Sequence, residues 1–190
     1  MWLSELFERE GQILSQLNHP AIPSYFDYFK IETDDDNSFY IAQQLALGKS
    51  IEKLIESGWN PDESEVKDIA IQILDILIYL HSFSPAIIHR DIKPQNIIRD
   101  ENGKVCLVDF GAVADAYHNT VTGGSTVVGT FGYMAPEQFR GQDFPSTDLY
   151  GFGTTLLYLL TKEHPSDLPQ KHIKIDFIYF NNLFTKHFVY

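Results

Sequence analysis

Four side chains between His89 and Gly111 are of types that do chemistry together: the carboxylate of Asp91, the ammonium of Lys93, the amide of Asn96 and the carboxylate of Asp109. Two acids, an amide and a cation suit a site for phosphate and a divalent metal. Mg²⁺ prefers carboxylate and amide oxygens, completed by substrate phosphates, over nitrogen or sulfur. The residues between them supply the means of assembly. Asn96-Ile97-Ile98 and Val105-Cys106-Leu107-Val108 are apolar runs joined by Asp100-Glu101-Asn102-Gly103. Asn-Gly is a strong turn signal, because both residues tolerate positive φ. A hairpin here folds the strands antiparallel, so Asn96 at the start of one arrives beside Asp109 at the end of the other, with Asp91 facing the same pocket.

The order His89-Arg90-Asp91, Asn96, then Asp109-Phe110-Gly111 resembles the protein kinase family, whose catalytic loop reads H-R-D-x-x-x-x-N and whose metal loop reads D-F-G. Either motif alone is an ordinary turn; both in order at this spacing are specific. The resemblance implies that Asp91 accepts the proton of a substrate hydroxyl, that Asn96 and Asp109 hold Mg²⁺, and that Lys93 steadies the transferred phosphoryl group of ATP. Lys93 and the later Gly129-Thr130 resemble the serine/threonine branch, with Thr130 near Asp91 and Lys93, helping to read a Ser or Thr acceptor on a protein substrate. The implied fold is α+β and protein-kinase-like, in two lobes. Residues 1–46 are a remnant of the small lobe, a helix plus the last β-hairpin. Residues 47–177 are a mostly helical large lobe without its C-terminal helices, and 178–190 an unassigned aromatic-rich tail.

The bulk numbers bound the alternatives. The chain has 190 residues, 44% hydrophobic and 14% aromatic, enough for one domain with a core. A formal charge of -12 argues against binding a phosphate backbone through Lys/Arg neutralisation, so no nucleic-acid partner is expected. The single cysteine, Cys106, lies in an apolar strand, reads as a small buried hydrophobe and fits a reducing interior. No apolar run approaches the roughly 18 residues of a membrane span. The start Met-Trp-Leu-Ser-Glu lacks the basic opening of a signal peptide, so a soluble cytoplasmic chain is expected.

Apolar residues at near-helical period predict a helix over Leu3 to Leu17, ended by His19-Pro20. In the family this helix carries a glutamate that pairs with a strand lysine, and the family offset lands on Glu10. The glycine-rich loop and lysine strand that precede this helix in the family have no counterpart in Met1 to Arg9. Gly48-Lys49-Ser50 has the tail of a Walker A loop, but Gln43 stands where its first glycine belongs, so it reads as a turn plus a helix N-cap at Ser50. Ile22 to Ile31 and Phe39 to Leu45 predict a hairpin around an acidic turn that reads as solvated rather than calcium-binding. By resemblance Gln43 guards the adenine pocket, and the backbone from Gln44 to Ala46 binds adenine.

Ser50 to Ser57 predicts a short helix and Glu63 to His81 a long one. Ile69, Ile71, Leu74, Leu77, Ile78 and Leu80 are too frequent for a surface stripe, so the long helix is expected to be buried on most sides. Asp115 to Thr130 is polar and aperiodic and reads as a mobile loop. In the family an arginine such as Arg90 meets a phosphate on this loop, which makes Thr126 the candidate phosphosite. Ala135-Pro136-Glu137 resembles the end of the substrate-docking loop, with Glu137 buried against a distant arginine. Asp148, at the start of an apolar helix through Leu160, resembles the aspartate that holds the catalytic-loop backbone. With Leu14, Phe110 and His89 it would form a stacked spine, which makes His89 structural rather than a base or ligand.

Two other classes remain beside the kinase. A binding module, meaning a catalytically impaired kinase fragment or pseudokinase, is motivated by the missing glycine-rich loop and lysine. Small-molecule kinases of the antibiotic-modifying type share an aspartate and asparagine loop and a D-x-G, but lack Lys93 at this offset and Ala135-Pro136-Glu137.

Overall fold

The computed structural model describes residues 2–32, 37–111, 114–115, 129–171 and 174–175. Within them the chain is α+β: helices α1 (Trp2–Leu14), α2 (Ile51–Glu56), α3 (Glu63–His81) and α4 (Pro145–Thr161), with strands β1 (Tyr25–Glu32) and β2 (Asn37–Gln43), β3 (Lys49–Ser50), β4 (Ile87–Ile88), β5 (Ile97–Arg99), β6 (Val105–Leu107), β7 (Ala114–Asp115), β8 (Gln170–Lys171) and β9 (Lys174–Ile175). Every sheet is antiparallel: β1 with β2, β3-β5-β6, β4 with β7, and β8 with β9.

Local signals account for the boundaries. Asp62 caps α3 by accepting from Glu65 N–H at 2.8 Å, while the Glu65 carboxylate accepts from Asp62 N–H at 3.1 Å, a reciprocal capping box. Ser50 caps α2 through Lys53 N–H at 3.3 Å. Ser50 also closes β3 against Ile98. Gly48, at φ 120, is required there, since a Cβ would stand 2.2 Å from the Arg99 carbonyl oxygen.

The core is continuous from Ile13, Leu14, Leu17 and Ile22 through the inner face of α3 (Ile69, Ile73, Ile76, Leu77, Leu80) to Ile92, Ile97, Leu107, Phe110 and Leu159. The segment after α1 is tied down by more than apolar contact: Asn18 N–H donates to the Tyr79 hydroxyl at 2.7 Å, and Leu107 N–H to the Ala21 carbonyl at 2.9 Å. A second small cluster, Leu157, Leu168 and Ile175, fixes the chain beyond α4.

The expectation that α3 is buried on most sides is corrected. Ile71, Leu74 and Ile78 are 56%, 37% and 69% exposed and form one stripe on the face away from the core. A count of apolar residues cannot separate a helix with two apolar faces from one enclosed all round. The acidic turn at 33–36, Thr126 with most of its loop, and the tail at 178–190 lie outside the described residues.

Candidate active site

The site is assembled by the β5–β6 hairpin and the loop before it. Buried β4 delivers the chain to His89, and a short 3₁₀ helix, Pro94–Asn96, then leads into β5. Register pairs Ile97 with Leu107 and Arg99 with Val105, and Val108 N–H donates to the Asn96 carbonyl at 2.9 Å. That bond sets Asn96 beside the strand end that carries Asp109.

Asp91, Lys93 and Thr130 form a closed polar triangle. Lys93 Nζ lies 2.6 Å from Asp91 Oδ2 and 2.7 Å from Thr130 Oγ1, and the Thr130 hydroxyl donates to Asp91 Oδ1 at 2.8 Å. Asn96 Nδ2 donates to the Asp91 carbonyl at 2.9 Å and to Oδ2 at 3.2 Å. Both carboxylate oxygens of Asp91 are therefore oriented by donors, a preorganised acceptor rather than a floppy surface acid. Because the NH₂ of Asn96 is directed at Asp91, its Oδ1 is the end that can meet a cation. The exposed carboxylate of Asp109, on a residue with φ 66, supplies the second hard oxygen. Among the described residues no cluster of three or more His, Cys, Asp or Glu gathers. An amide plus one carboxylate instead fits a divalent ion that completes its shell with phosphate and water.

Glu10 reaches the same edge. A Cβ on Gly111 would lie 3.4 Å from Asp109 Oδ1 and 3.6 Å from Glu10 Oε2, so the two carboxylates approach one point. Burial first, and the charge of Asp109 second, push the Glu10 carboxyl up to about 7.

Beneath the loop lies a buried polar scaffold. Asp148, 1% exposed, accepts from His89 N–H at 3.0 Å and Arg90 N–H at 2.8 Å, and its Oδ2 is 2.9 Å from His81 Nε2. His89 is fully buried and packs edge-on against Phe110 with centroids 4.7 Å apart. Burial lowers its pKa, against the pull of the surrounding acids and a hydrogen bond to the Val108 backbone, and its contact with Phe110 is the packing role expected of it. Leu14 is 2% exposed in the same core. Glu137 accepts from the Thr147 hydroxyl at 3.2 Å. The Arg90 guanidinium, expected to face a phosphate, meets the carboxylate of Asp143 at 2.8 Å. Gln44 N–H donates to the Ser24 carbonyl at 2.8 Å, and Gln44 to Ala46 is irregular chain following β2.

Three residues of this scaffold, His81, Gln138 and Asp143, had no signal in the sequence. Each has a partner far away in the chain: Gln138 Nε2 donates to the Arg90 carbonyl at 2.9 Å, while its Oε1 accepts locally from Ala135 N–H at 2.8 Å.

The chain matches the family model described as the protein kinase domain over residues 2–185. This chain belongs to the protein kinase family. Curated relatives of this kinase chain are named serine/threonine-protein kinases. Serine/threonine-protein kinase F of Synechocystis sp. is 41% identical over 174 residues, covering 86% of this chain and 35% of the relative. Serine/threonine-protein kinase PknA of Nostoc sp. is 40% identical over 174 residues, covering 87% and 30%. A MAP kinase kinase of Saccharomyces cerevisiae is 40% identical over 163 residues, covering 83% and 30%. The kinase chain spans about a third of the length of the cyanobacterial relatives it matches. Among its described residues no helix is long and apolar enough to cross a membrane.

Proposed function

We propose that this chain transfers the γ-phosphoryl group of ATP to a Ser or Thr hydroxyl of a protein substrate, with Mg²⁺ as the cation. The observation that carries this reading is the Asp91–Lys93–Thr130 triangle, in which a base, a cation and an acceptor-side hydroxyl stand within 2.8 Å of one another. In the reaction a bond forms between the acceptor oxygen and the γ-phosphorus, and the bond from that phosphorus to the bridging oxygen of ADP breaks. The acceptor proton passes to the Asp91 carboxylate. Lys93 balances charge on the moving phosphoryl group, and Thr130 orients Asp91 and the incoming hydroxyl. Asn96 Oδ1 and the Asp109 carboxylate are the atoms that would hold Mg²⁺. When bound, the cation neutralises charge on the triphosphate. The backbone of Gln44 to Ala46 is assigned to adenine, and Glu10 to the rim of the phosphate site.

The binding-module alternative has no observation of its own in this site. The requirement for ATP supports placing the activity in the cytoplasm. The test is transfer of radiolabelled γ-phosphate by the purified protein to matched Ser, Thr and Tyr peptides. Label on Ser and Thr peptides, lost on chelation of the metal, is expected. A folded protein that labels nothing with Mg²⁺ present refutes the reading.

A further inference from the structure

Among the described residues Arg90 is held from three directions: its N–H by Asp148 Oδ1 at 2.8 Å, its carbonyl by Gln138 Nε2 at 2.9 Å, and its guanidinium Nη1 by Asp143 Oδ2 at 2.8 Å. The Arg90 and Asp143 side chains are only 8% and 3% exposed. A dewatered guanidinium demands an anion, and removing either partner of such a pair strands a buried charge. The backbone of Arg90 sits at φ 69, a conformation that a non-glycine residue keeps only when its surroundings over-determine it. Gln138 and Asp143 both come from the segment that follows the Gly129–Glu137 loop. A turn through Gly141, at φ 66, with Gln142 N–H bonded to the Glu137 carbonyl, carries the chain from Gln138 to Asp143. Gly129 itself is packed so closely that a Cβ would come within 3.2 Å of Gln138 Nε2 and 3.4 Å of the Arg90 carbonyl. Since Thr130 bonds to Asp91, the neighbour of Arg90, a shift of this loop reaches the reacting groups directly.

We propose that Asp143 is a positioning residue of the phosphotransfer site. Its buried carboxylate supplies the anion for Arg90 and, with Gln138, locks the Gly129–Glu137 loop onto the catalytic loop without need of a loop phosphate. This rests on the kinase reading and adds its regulation: the loop is ordered by a permanent carboxylate where an added phosphate would otherwise be drawn to the arginine.

The test uses the full protein in three forms: one with Thr120, Thr122, Ser125 and Thr126 all changed to Ala, Asp143→Asn in that background, and Asp143→Glu in that background. The loop-alanine protein is expected to match the wild-type rate. Asp143→Asn, which keeps shape and removes charge, should lower kcat by about 10- to 100-fold while KM for ATP moves less than about twofold. Asp143→Glu should recover most of that loss. Amide exchange of residues 129–141 and of Arg90, read in the same proteins, is expected to accelerate about tenfold in Asp143→Asn and to return toward wild type in Asp143→Glu. If no form transfers phosphate, the kinase reading fails, and the exchange result alone decides the clamp. A loop-alanine protein that is inactive while phosphorylated wild type is active overturns the proposal. So does an Asp143→Asn protein with unchanged exchange and unchanged kcat.

Discussion

Two regions flank the catalytic loop and solve opposite electrostatic problems. Below it, Asp148 is surrounded by donors from His81, His89 and Arg90, and the Arg90 side chain meets Asp143, so buried charges and polar groups find partners of opposite sign or polarity. At its outer edge, Glu10 and Asp109 bring two carboxylates toward one point, and burial first, with the charge of Asp109 second, pushes the Glu10 carboxyl up to about 7. The first arrangement is complete from the chain's own residues and stiffens the loop. Among the described residues the second gathers negative charge, which on the proposed reading is where a cation would bind. Rigidity below and unmet charge above are what a phosphotransfer site needs, since its chemistry is mostly positioning and electrostatics.

The sharpest way to break this contrast is to remove the group both regions serve. Asp91→Asn should lower the phosphoryl-transfer rate on the order of 10³-fold with little change in thermal stability, as the proposed role of general base requires of a residue whose neighbours survive the change. Rates on a Ser peptide, set beside a melting curve, check it. Next, Asp148→Ala strands its donors in a dry interior and should destabilise the protein by about 3 kcal/mol, measured by denaturant unfolding. Gly129→Ala tests the junction between the regions: with φ 134 and a Cβ only 2.7 Å from Met134 Cγ, the substitution should cost about 2 kcal/mol and reduce turnover.

The smallest effect belongs to the acidic edge. The folded-state value of Glu10, about 7, lies above its ordinary value of 4.5. Its contribution to stability is therefore fully present below pH 4.5 and is lost as the pH rises through 7. Glu10→Gln should remove that loss, raising the melting temperature at pH 8 by roughly 2–4 °C, about 1 kcal/mol after allowance for partial exposure, and changing little at pH 4.5. Saturating Mg²⁺ should shrink the difference at pH 8, because a cation at Asp109 removes the repulsion.

Much of this architecture was legible beforehand. The apolar run predicts a long helix over Glu63 to His81, and the structure gives Glu63–His81, with the Asp62 capping box as the physical reason for its start. The predicted helix over Leu3 to Leu17 ends earlier, at Leu14, with Leu17 still buried in the turn that follows. The hairpin was readable because Asn102-Gly103 is a local instruction, and its consequence, Asn96 beside the strand end bearing Asp109, follows from antiparallel register alone. What misled was the apolar richness of α3: periodicity reports how many faces are greasy, and which face meets the core depends on what packs there.

The local chemistry of the chain determined the acids, the amide, the lysine and the turn that folds them together, because hairpins, caps and short loops depend on neighbours a few residues apart. The tertiary structure alone decided that Arg90 meets Asp143, that Gln138 reaches the Arg90 carbonyl, and that Glu10 faces Asp109. Those pairs join segments many tens of residues apart, and nothing in the identity of an arginine, a glutamine or a glutamate states which distant partner the folded core will bring beside it.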